Sequence, residues 1–235
     1  MSRKKDYYLV LDTETANSVE EPLPYDIGWV ICDRKGNIYR RRSFVVSEVF
    51  ADMADVMLSA YYADKIPMYW DDLKSGKRKL RGMYYIRKVM LGDMKEFNVK
   101  EVGAYNMAFD KKALNNLIRY VSKSAHRWFF PFGTKYFCIW NMASNAILNR
   151  ASYIKFAEKN GFISESGNIM TRAEAAYRYI MNDVNFIESH TGLEDVEIEV
   201  AIMAKCYQQH KKLKRDINPS CWRIPQQKRR EMGAA

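Results

Sequence analysis

The sequence predicts an α/β domain built on a mixed sheet of five strands, with helices on both faces and a helical insertion. Three observations lead to this fold class. The first strand-like runs follow one another across short polar turns, as the strands of a hairpin do. Later strand-like runs alternate with helical patterns. Hydrophobic residues form 48% of the 235 residues, which is enough to bury a full core.

Five apolar or aromatic runs carry the strand prediction. The first run is apolar at every position, as expected for a strand that is covered on both faces. The second and third runs flank a turn rich in polar residues and glycine, which indicates antiparallel pairing. The predicted strands cover residues 7–11, 27–32, 38–46, 99–105 and 135–140.

Helices are predicted where apolar residues recur at helical spacing or where a capping box stands. Thr171 and Thr191 each open a capping box, because a glutamate follows three residues later. Gly161 is the predicted stop of the preceding helix, and residues 161–170 are expected to form a small hairpin or loop. Besides the two capped helices, the predicted helices cover residues 48–63, 111–122 and 142–160. The predicted buried face of the last helix comprises Leu193, Val196, Val200, Met203 and Tyr207.

The chain is predicted to form one domain over residues 1–208, with an insertion at about residues 48–98. The insertion holds several tyrosines and a basic loop at residues 74–81. We interpret this loop as a solvated turn, with a substrate contact as the alternative. Residues 209–235 are predicted to be a basic tail that frays from Lys211 onward.

Charge and cysteine content narrow the class of protein. The formal net charge of +10 suits a polyanionic partner, since lysine and arginine displace the counterions held by phosphates. The four cysteines form no C-x-x-C pair, so we expect free thiols in a reducing compartment rather than a zinc site. The sequence shows no signal-peptide core and no apolar run of membrane-span length. We therefore expect a soluble, cytoplasmic protein without a membrane partner.

The first segment that could carry chemistry is Asp12-Thr13-Glu14, at the end of the first predicted strand. Residues two apart share one face of a strand, so Asp12 and Glu14 are expected to point the same way. Two adjacent carboxylates repel each other unless a cation lies between them. A solvated acidic pair at a strand end is the alternative interpretation.

The second segment runs from Asn106 to Asp110, between a predicted strand and a predicted helix. Asp110 either caps this helix or projects into the crevice where open α/β sheets bind ligands. Phe109 is expected to anchor the turn in the core. Asn106 is a candidate for the turn backbone or for the substrate, and the sequence leaves both roles open.

The third segment runs from His190 to Asp195. Two helical residues five apart differ by about 140° in direction, so both cannot face one site if both are helical. The capping box at Thr191 resolves this, because it leaves His190 on a loop and Asp195 in the first helical turn. A surface histidine beside a helix start is the alternative.

In this order, the three segments resemble the DEDDh superfamily of 3′→5′ exonucleases, which includes proofreading exonucleases, ribonuclease T and oligoribonuclease. The matching patterns are Asp-x-Glu on the first strand, Asn-x-x-Phe-Asp in mid-chain and His-x-x-x-x-Asp near the end. The resemblance extends over about residues 6–208 and implies a ribonuclease H-like fold. It also implies hydrolysis of DNA or RNA from a 3′ end, with release of nucleoside 5′-monophosphates. The insertion is longer than compact members of the superfamily need.

The resemblance assigns roles to individual residues. His190 would be the general base for an attacking water, because an imidazole that titrates near neutrality can accept its proton. Two Mg²⁺ or Mn²⁺ ions are the implied cofactors, since hard cations prefer oxygen ligands and a pair of them can stabilise an in-line displacement. The implied metal ligands are Asp12, Glu14, Asp110 and Asp195. The candidate substrate contacts are Thr13, Thr15 and Asn106. The expected partner is the 3′ end of single-stranded DNA or RNA, with a second copy of the chain or a replicative polymerase as further candidates.

Two alternatives stay open at the level of sequence. Tyr179 and Asp183 match the Tyr-x-x-x-Asp motif of the sister group of these exonucleases, and they lie one helical turn apart. A non-catalytic nucleic-acid-binding module on the same fold would also use the basic charge, together with the aromatic run at residues 128–132. Four carboxylates in one crevice would favour the enzyme over the binding module.

Overall fold

The computed structural model describes residues 6–209 and 212–233. Residues 1–5 and the predicted tail positions 210–211 and 234–235 lie outside the described residues. Six strands form one mixed sheet in the order β4-β3-β2-β1-β5-β6, where the labels run in chain order. The strands are β1 (Tyr8–Ala16), β2 (Leu23–Cys32), β3 (Ile38–Val46), β4 (Leu80–Arg81), β5 (Glu101–Ala104) and β6 (Lys135–Cys138).

Strand pairing confirms the predicted mixed sheet. Strands β1, β2 and β3 pair antiparallel, whereas β5 and β6 run parallel to β1. The five predicted strands all form, and the two-residue strand β4 adds a sixth at the edge beside β3. The parallel strands β1, β5 and β6 therefore end at the same edge of the sheet, where open α/β sheets bind ligands.

Strand β1 extends beyond its predicted end because its polar residues still pair with β2. Asp12 lies opposite Gly28 and Glu14 lies opposite Asp26, and the register shifts only between Glu14 and Thr15. The apolar pattern does not reveal this part of the strand. Asp12 and Glu14 therefore lie on a paired part of the strand.

Helices cover both faces of the sheet. The helices are α1 (Ser47–Phe50), α2 (Ala54–Met57), α3 (Ile66–Lys74), α4 (Met83–Glu96), α5 (Met107–Ser122), α6 (Ile139–Ala146), α7 (Ala151–Lys159), α8 (Ala173–Met181), α9 (Gly192–Tyr207) and α10 (Arg223–Glu231). Leu9 and Trp29 face a core shared with α4 and α5, whereas Val10 and Val30 face a second core shared with α6, α7 and α9. Alternate residues of one strand thus pack into opposite layers. Within the described ranges, no helix has both the length and the apolar character needed to cross a membrane.

Two predicted helices are interrupted. The helix predicted over residues 48–63 is instead two single turns, α1 and α2, followed by a 3₁₀ turn at Ala63–Lys65. Here Ser59 Oγ donates to the carbonyl of Val56 and accepts from the backbone of Asn17, and such local bonds compete with helix formation. The helix predicted over residues 142–160 divides into α6 and α7.

Three smaller predictions can be compared with the structure. Gly161 has a φ of +74° after α7, so it provides the left-handed stop that the sequence predicted. A single bridge between Ile163 and Ile169 forms the predicted small hairpin. The predicted capping box at Thr171 is wrong: the residue before α8 is Arg172, and no side-chain cap forms there.

The described part of the C-terminal tail is packed rather than frayed. The Gln226 side chain exchanges two hydrogen bonds with the backbone of Ile169, at 2.8 and 2.9 Å. Arg229 in α10 forms an ion pair with Glu158 in α7, at 2.9 Å. The composition of the tail is basic, yet these few specific contacts hold α10 against the domain.

The basic loop of the insertion contains a buried arginine. The Arg78 guanidinium donates to Asp26 of β2 and Asp72 of α3 at 3.1 Å, and to Glu194 of α9 at 3.3 Å. Its side chain is only 5% exposed. At this position the loop is therefore neither a solvated turn nor a substrate contact. Asp26 also accepts a hydrogen bond from Tyr69 at 2.7 Å, so the insertion is tied to the central sheet and to α9.

Two glycines bring the start of α9 directly against the sheet. A Cβ atom at Gly28 would lie 2.2 Å from the carbonyl carbon of Gly192, and one at Gly192 would lie 2.8 Å from Gly28 N. The N–H of Gly192 also donates to Asp26 Oδ2 at 3.1 Å. This backbone contact sets the position of the first turn of α9 relative to β1 and β2.

We predict that Gly28→Ala lowers the free energy of unfolding by about 1–3 kcal/mol, the usual range for overpacking. The added methyl group has no space, so α9 must move away from β2. Urea denaturation measures the change. Gly92→Ala is the matched control, since a Cβ there meets no atom within 4 Å and alanine favours a helix by up to about 1 kcal/mol. Equal stability of Gly28→Ala and the unmodified protein would contradict the contact.

We also predict that Arg78→Ala lowers the free energy of unfolding by about 3–5 kcal/mol, because it leaves buried carboxylates without their cation. Lys79→Ala, at the exposed neighbouring position, is the control and should change the stability little. Denaturant curves for both variants measure the difference. If Arg78→Ala matched Lys79→Ala, the buried network would contribute no stability.

Candidate functional site

A cavity of about 360 Å³ opens at the edge of the sheet where β1 and β5 end. It is lined by the two acidic residues of the first segment, by Asn106 and Asp110 of the second, and by His190 and Asp195 of the third. A larger cavity of about 790 Å³ lies at the opposite ends of these strands and contains none of the predicted site residues. The smaller cavity is therefore the candidate site.

Strand β1 and helix α5 position the first three carboxylates. Asp12 and Glu14 alternate with Thr13, whose hydroxyl donates to Asp110 Oδ1 at 2.9 Å. Asp110 lies in the first turn of α5 and is buried, whereas Asn106 is the residue before the helix. Asp110 is thus held toward the cavity by a side-chain hydrogen bond from β1 and does not cap the helix.

Helix α9 positions the fourth carboxylate, Asp195. The helix begins at Gly192, and the backbone N–H of Asp195 donates to the carbonyl of Thr191 at 3.1 Å. Ser189 Oγ donates to Asp195 Oδ1 at 3.2 Å. Thr191 precedes the helix as predicted, but its hydroxyl bonds the Glu194 carboxylate at 2.7 Å rather than a backbone N–H.

His190 lies on the loop before α9, in a left-handed backbone conformation with φ of +50°. This conformation is unfavourable for a residue other than glycine, so the surrounding contacts must hold it. The imidazole stacks on Tyr62 at 4.2 Å with an interplanar angle of 15°. Its Nδ1 atom lies 3.8 Å from Glu188 Oε2 and 4.0 Å from Asp195 Oδ2.

The first and third segments meet inside the cavity. Ligand atoms of Glu14, His190 and Asp195 all lie within 4.8 Å of one another. Glu14 is distant in the chain from His190 and Asp195, and the packing of α9 against the sheet brings the start of α9 to β1. Three groups at this spacing could hold one metal ion between them.

The electrostatics of the cavity favour a bound cation. Burial is the main cause that raises the pKa of Glu14 to about 8 and the pKa values of Asp110 and Asp195 to about 7. Burial also raises the pKa of Asp12 well above its usual range. Lys65 partly opposes the rise at Glu14 and Asp195. Buried carboxylates that resist ionisation are a fitting donor set for hard divalent cations, which neutralise them.

Burial shifts the pKa of the His190 imidazole downward, whereas it shifts the pKa values of the carboxylates upward. Burial, followed by the positive charge of Lys65, lowers the pKa of His190 below its ordinary value. The Lys65 ammonium donates to the carbonyl of Ser189 and lies 5.0 Å from the centre of the Tyr62 ring. A lowered pKa favours the neutral imidazole, the form that can accept a proton.

Several cavity residues escaped the sequence analysis. Tyr61, Tyr62 and Glu188 have no motif to mark them, and the first two come from the insertion. Glu199 carried a signal that was missed, because it lies one helical turn after Asp195 on a helix whose adjacent positions are apolar and buried.

Other predicted residues have different surroundings. Thr13 and Asn106 line the cavity, whereas Thr15 lies beyond the register shift of β1 and does not. Phe109 lines the cavity wall and is only half-buried, so it does not anchor the turn in the core as expected.

The residues of the alternative motif lie outside the cavity. Tyr179 packs against Tyr153 and Phe156, with ring centroids 5.2 and 5.3 Å away. Asp183 accepts a hydrogen bond from the backbone of Asn185 at 3.0 Å. Tyr179 is thus a packing residue, and the His190 segment is the one that reaches the acidic cavity.

No protein-family model and no curated protein sequence matches the chain. Among solved structures, it is similar to the zinc-bound form of E. coli exonuclease I in complex with single-stranded DNA, with a TM-score of 0.57 and 13% identity over 88% of this chain and 41% of that chain. E. coli exonuclease I in complex with a dA16 oligonucleotide gives a TM-score of 0.52 and 14% identity over 84% of this chain and 40% of that one.

A product-bound structure of exonuclease I gives a TM-score of 0.53 and 14% identity, over 87% of this chain and 44% of that chain. The chain thus spans about two fifths of the length of these structures. At this level of identity the likeness concerns the fold alone. The chain has the ribonuclease H-like α/β fold found in exonuclease I.

Proposed function

We propose that this protein is a metal-dependent 3′→5′ exonuclease that hydrolyses the phosphodiester bonds of DNA or RNA and releases nucleoside 5′-monophosphates. One observation carries the proposal: carboxylates from three distant segments line one cavity together with His190. A surface that only binds nucleic acid has no use for four negatively charged side chains in one cavity, because they would repel the phosphates. The fold shared with exonuclease I supports the same function.

The metal ligands in this proposal are Asp12, Glu14, Asp110 and Asp195. Their oxygen atoms fit Mg²⁺ or Mn²⁺, and the raised pKa values of these residues reflect burial that a cation would offset. When bound, two such ions stabilise the charge that develops on the phosphate and make a nearby water more acidic. The hydrogen bonds from Thr13 to Asp110 and from Ser189 to Asp195 orient two of the ligands.

His190 is the proposed general base. Its neutral imidazole accepts a proton from the attacking water, and its side chain is 30% exposed, so the proton can pass on to solvent. The stacked Tyr62 ring fixes the plane of the imidazole. Because Tyr62 belongs to the insertion, the insertion would help to orient the His190 imidazole.

The rim of the cavity fits a single-stranded nucleic acid. Tyr61 is 84% exposed and offers a ring on which a base can stack. Arg172 is exposed and lines the same rim, where its charge can meet a phosphate. The exonuclease I structures with oligonucleotides support this class of substrate. A second copy of the chain or a polymerase remains a proposed further partner.

A degradation panel tests the proposal. Matched DNA and RNA, single- and double-stranded, carry a label at either the 3′ or the 5′ end and are incubated with Mg²⁺, Mn²⁺ or EDTA. We expect 3′-labelled strands to release labelled mononucleotide at the earliest times and 5′-labelled strands to shorten progressively, only when a metal is present. If no substrate were digested with either metal, the non-catalytic binding module would be the better description.

We predict that Asp12→Asn and Asp110→Asn each lower turnover by at least about 100-fold, because even the second-shell partners of a metal site contribute 10–100-fold. The folded state should persist, as judged by circular dichroism. Asp183→Asn is the matched control, since Asp183 belongs to the alternative motif and lies outside the cavity. Loss of activity in the control, with activity kept in Asp12→Asn, would reverse the assignment.

We predict that His190→Gln lowers turnover by about 10²–10⁴-fold, the usual contribution of general base catalysis. The affinity for Mn²⁺ in calorimetry should stay unchanged, because the carboxylates hold the ions. This readout matters since His190 lies within ligand distance of Glu14 and Asp195. A clear loss of Mn²⁺ affinity would make His190 a metal ligand rather than a base. Tyr179→Phe serves as the control and should change neither quantity.

A further inference from the structure

Glu199 is a further carboxylate that lines the same cavity as the four proposed metal ligands. It lies on α9 four residues after Asp195, so the two side chains project from the same side of the helix. Glu199 is only 3% exposed, although a glutamate is rarely buried to this extent without a partner. The surrounding positions on this helix, Val196, Val200 and Met203, are apolar and buried.

One oxygen of this carboxylate has no hydrogen-bond donor. Among the described residues, Glu199 Oε2 is buried and makes no hydrogen bond. A buried polar atom without a partner is unfavourable, and more so if it is charged. The described residues thus leave this oxygen without a partner, and a bound cation would supply one.

The charged groups that act most strongly on Glu199 are other carboxylates. Burial raises the pKa of Glu199 well above its usual range, and the nearby charge of Asp110 raises it further. After burial, Glu199 is the largest cause of the raised pKa of Asp12. The side chain thus faces other carboxylates, and a cation among them would satisfy all of them together.

We propose that Glu199 is an additional ligand of the divalent cations and that its carboxylate lets the protein hold both ions before nucleic acid arrives. Magnesium sites in phosphoryl-transfer enzymes often use only one or two carboxylates and complete the shell with substrate phosphates and water. The four proposed ligands together with Glu199 offer enough oxygen donors and charge to bind two ions without that phosphate. This inference rests on the proposed function.

Calorimetric titration of Mn²⁺ into the full-length, metal-free protein without nucleic acid tests the inference. We expect binding of two ions to the unmodified protein, and Glu199→Gln should weaken the binding of at least one ion by about tenfold or more. Glu197→Gln is the matched control, because Glu197 is exposed on the same helix and pairs with Arg41. Its titration should equal that of the unmodified protein.

Two further measurements separate a ligand from a merely buried acid. Thermal unfolding of metal-free Glu199→Gln should show a melting temperature at or above that of the unmodified protein, since a buried carboxyl surrounded by other carboxylates has been replaced by a neutral isostere. Glu199→Asp retains the charge with a shorter reach, so its Mn²⁺ affinity should fall between those of the unmodified protein and Glu199→Gln. A melting temperature of Glu199→Gln far below the unmodified value would overturn the inference in favour of a structural role.

The outcomes distinguish the inference from the function on which it rests. If the unmodified protein bound neither Mn²⁺ nor Mg²⁺, the proposed function and the role of Glu199 would fail together. If the unmodified protein bound Mn²⁺ and Glu199→Gln bound it equally well or more tightly, only the role of Glu199 would fail. Glu199 would then be a neutral, protonated acid inside the cavity.

Discussion

The close approach of α9 to the sheet is the contact on which the candidate site depends. Gly28 and Gly192 meet backbone to backbone, and a Cβ atom on either residue would overlap the backbone of the other. This contact sets the depth of the first turn of α9, which carries Asp195 on the helix and His190 just before it. Asp26 reinforces the contact by accepting the N–H of Gly192. The ligand atoms of Glu14 on β1 and of Asp195 on α9 consequently lie within 4.8 Å of each other.

That arrangement concentrates like charges in a buried cavity, which opposes folding unless protons or cations neutralise them. The raised pKa values of Glu14, Asp110 and Asp195 express this opposition. The rest of the domain must therefore supply the stability that the cavity removes. Two cores on opposite faces of the sheet and the buried Arg78 network provide it. A site that depends on cations for its charge balance is also a site that is prepared to bind them.

The insertion does more than enlarge the domain. Arg78 joins α3, β2 and the first turn of α9 through three carboxylates, so the insertion holds the same helix start that the two glycines position. Tyr62 from the same insertion stacks on His190. The sequence predicted only a helical insertion added to the core of the domain. The physical reason for the difference is that a single arginine in a basic loop gives no sign of burial until its partners from other elements are known.

The sequence by itself determined the strand order of the first hairpin, the alternation of later strands and helices, and the three acidic segments, because apolar periodicity and short motifs are local properties. The apolar run alone did not reveal how far β1 pairs with β2, since polar residues follow that run. Only the tertiary structure decided that Thr15 lies outside the cavity, that the described tail packs through Gln226, and that Glu199 joins the carboxylates. Each of these depends on contacts between residues distant in the chain, and no local pattern encodes which distant group will fill the space beside a given side chain.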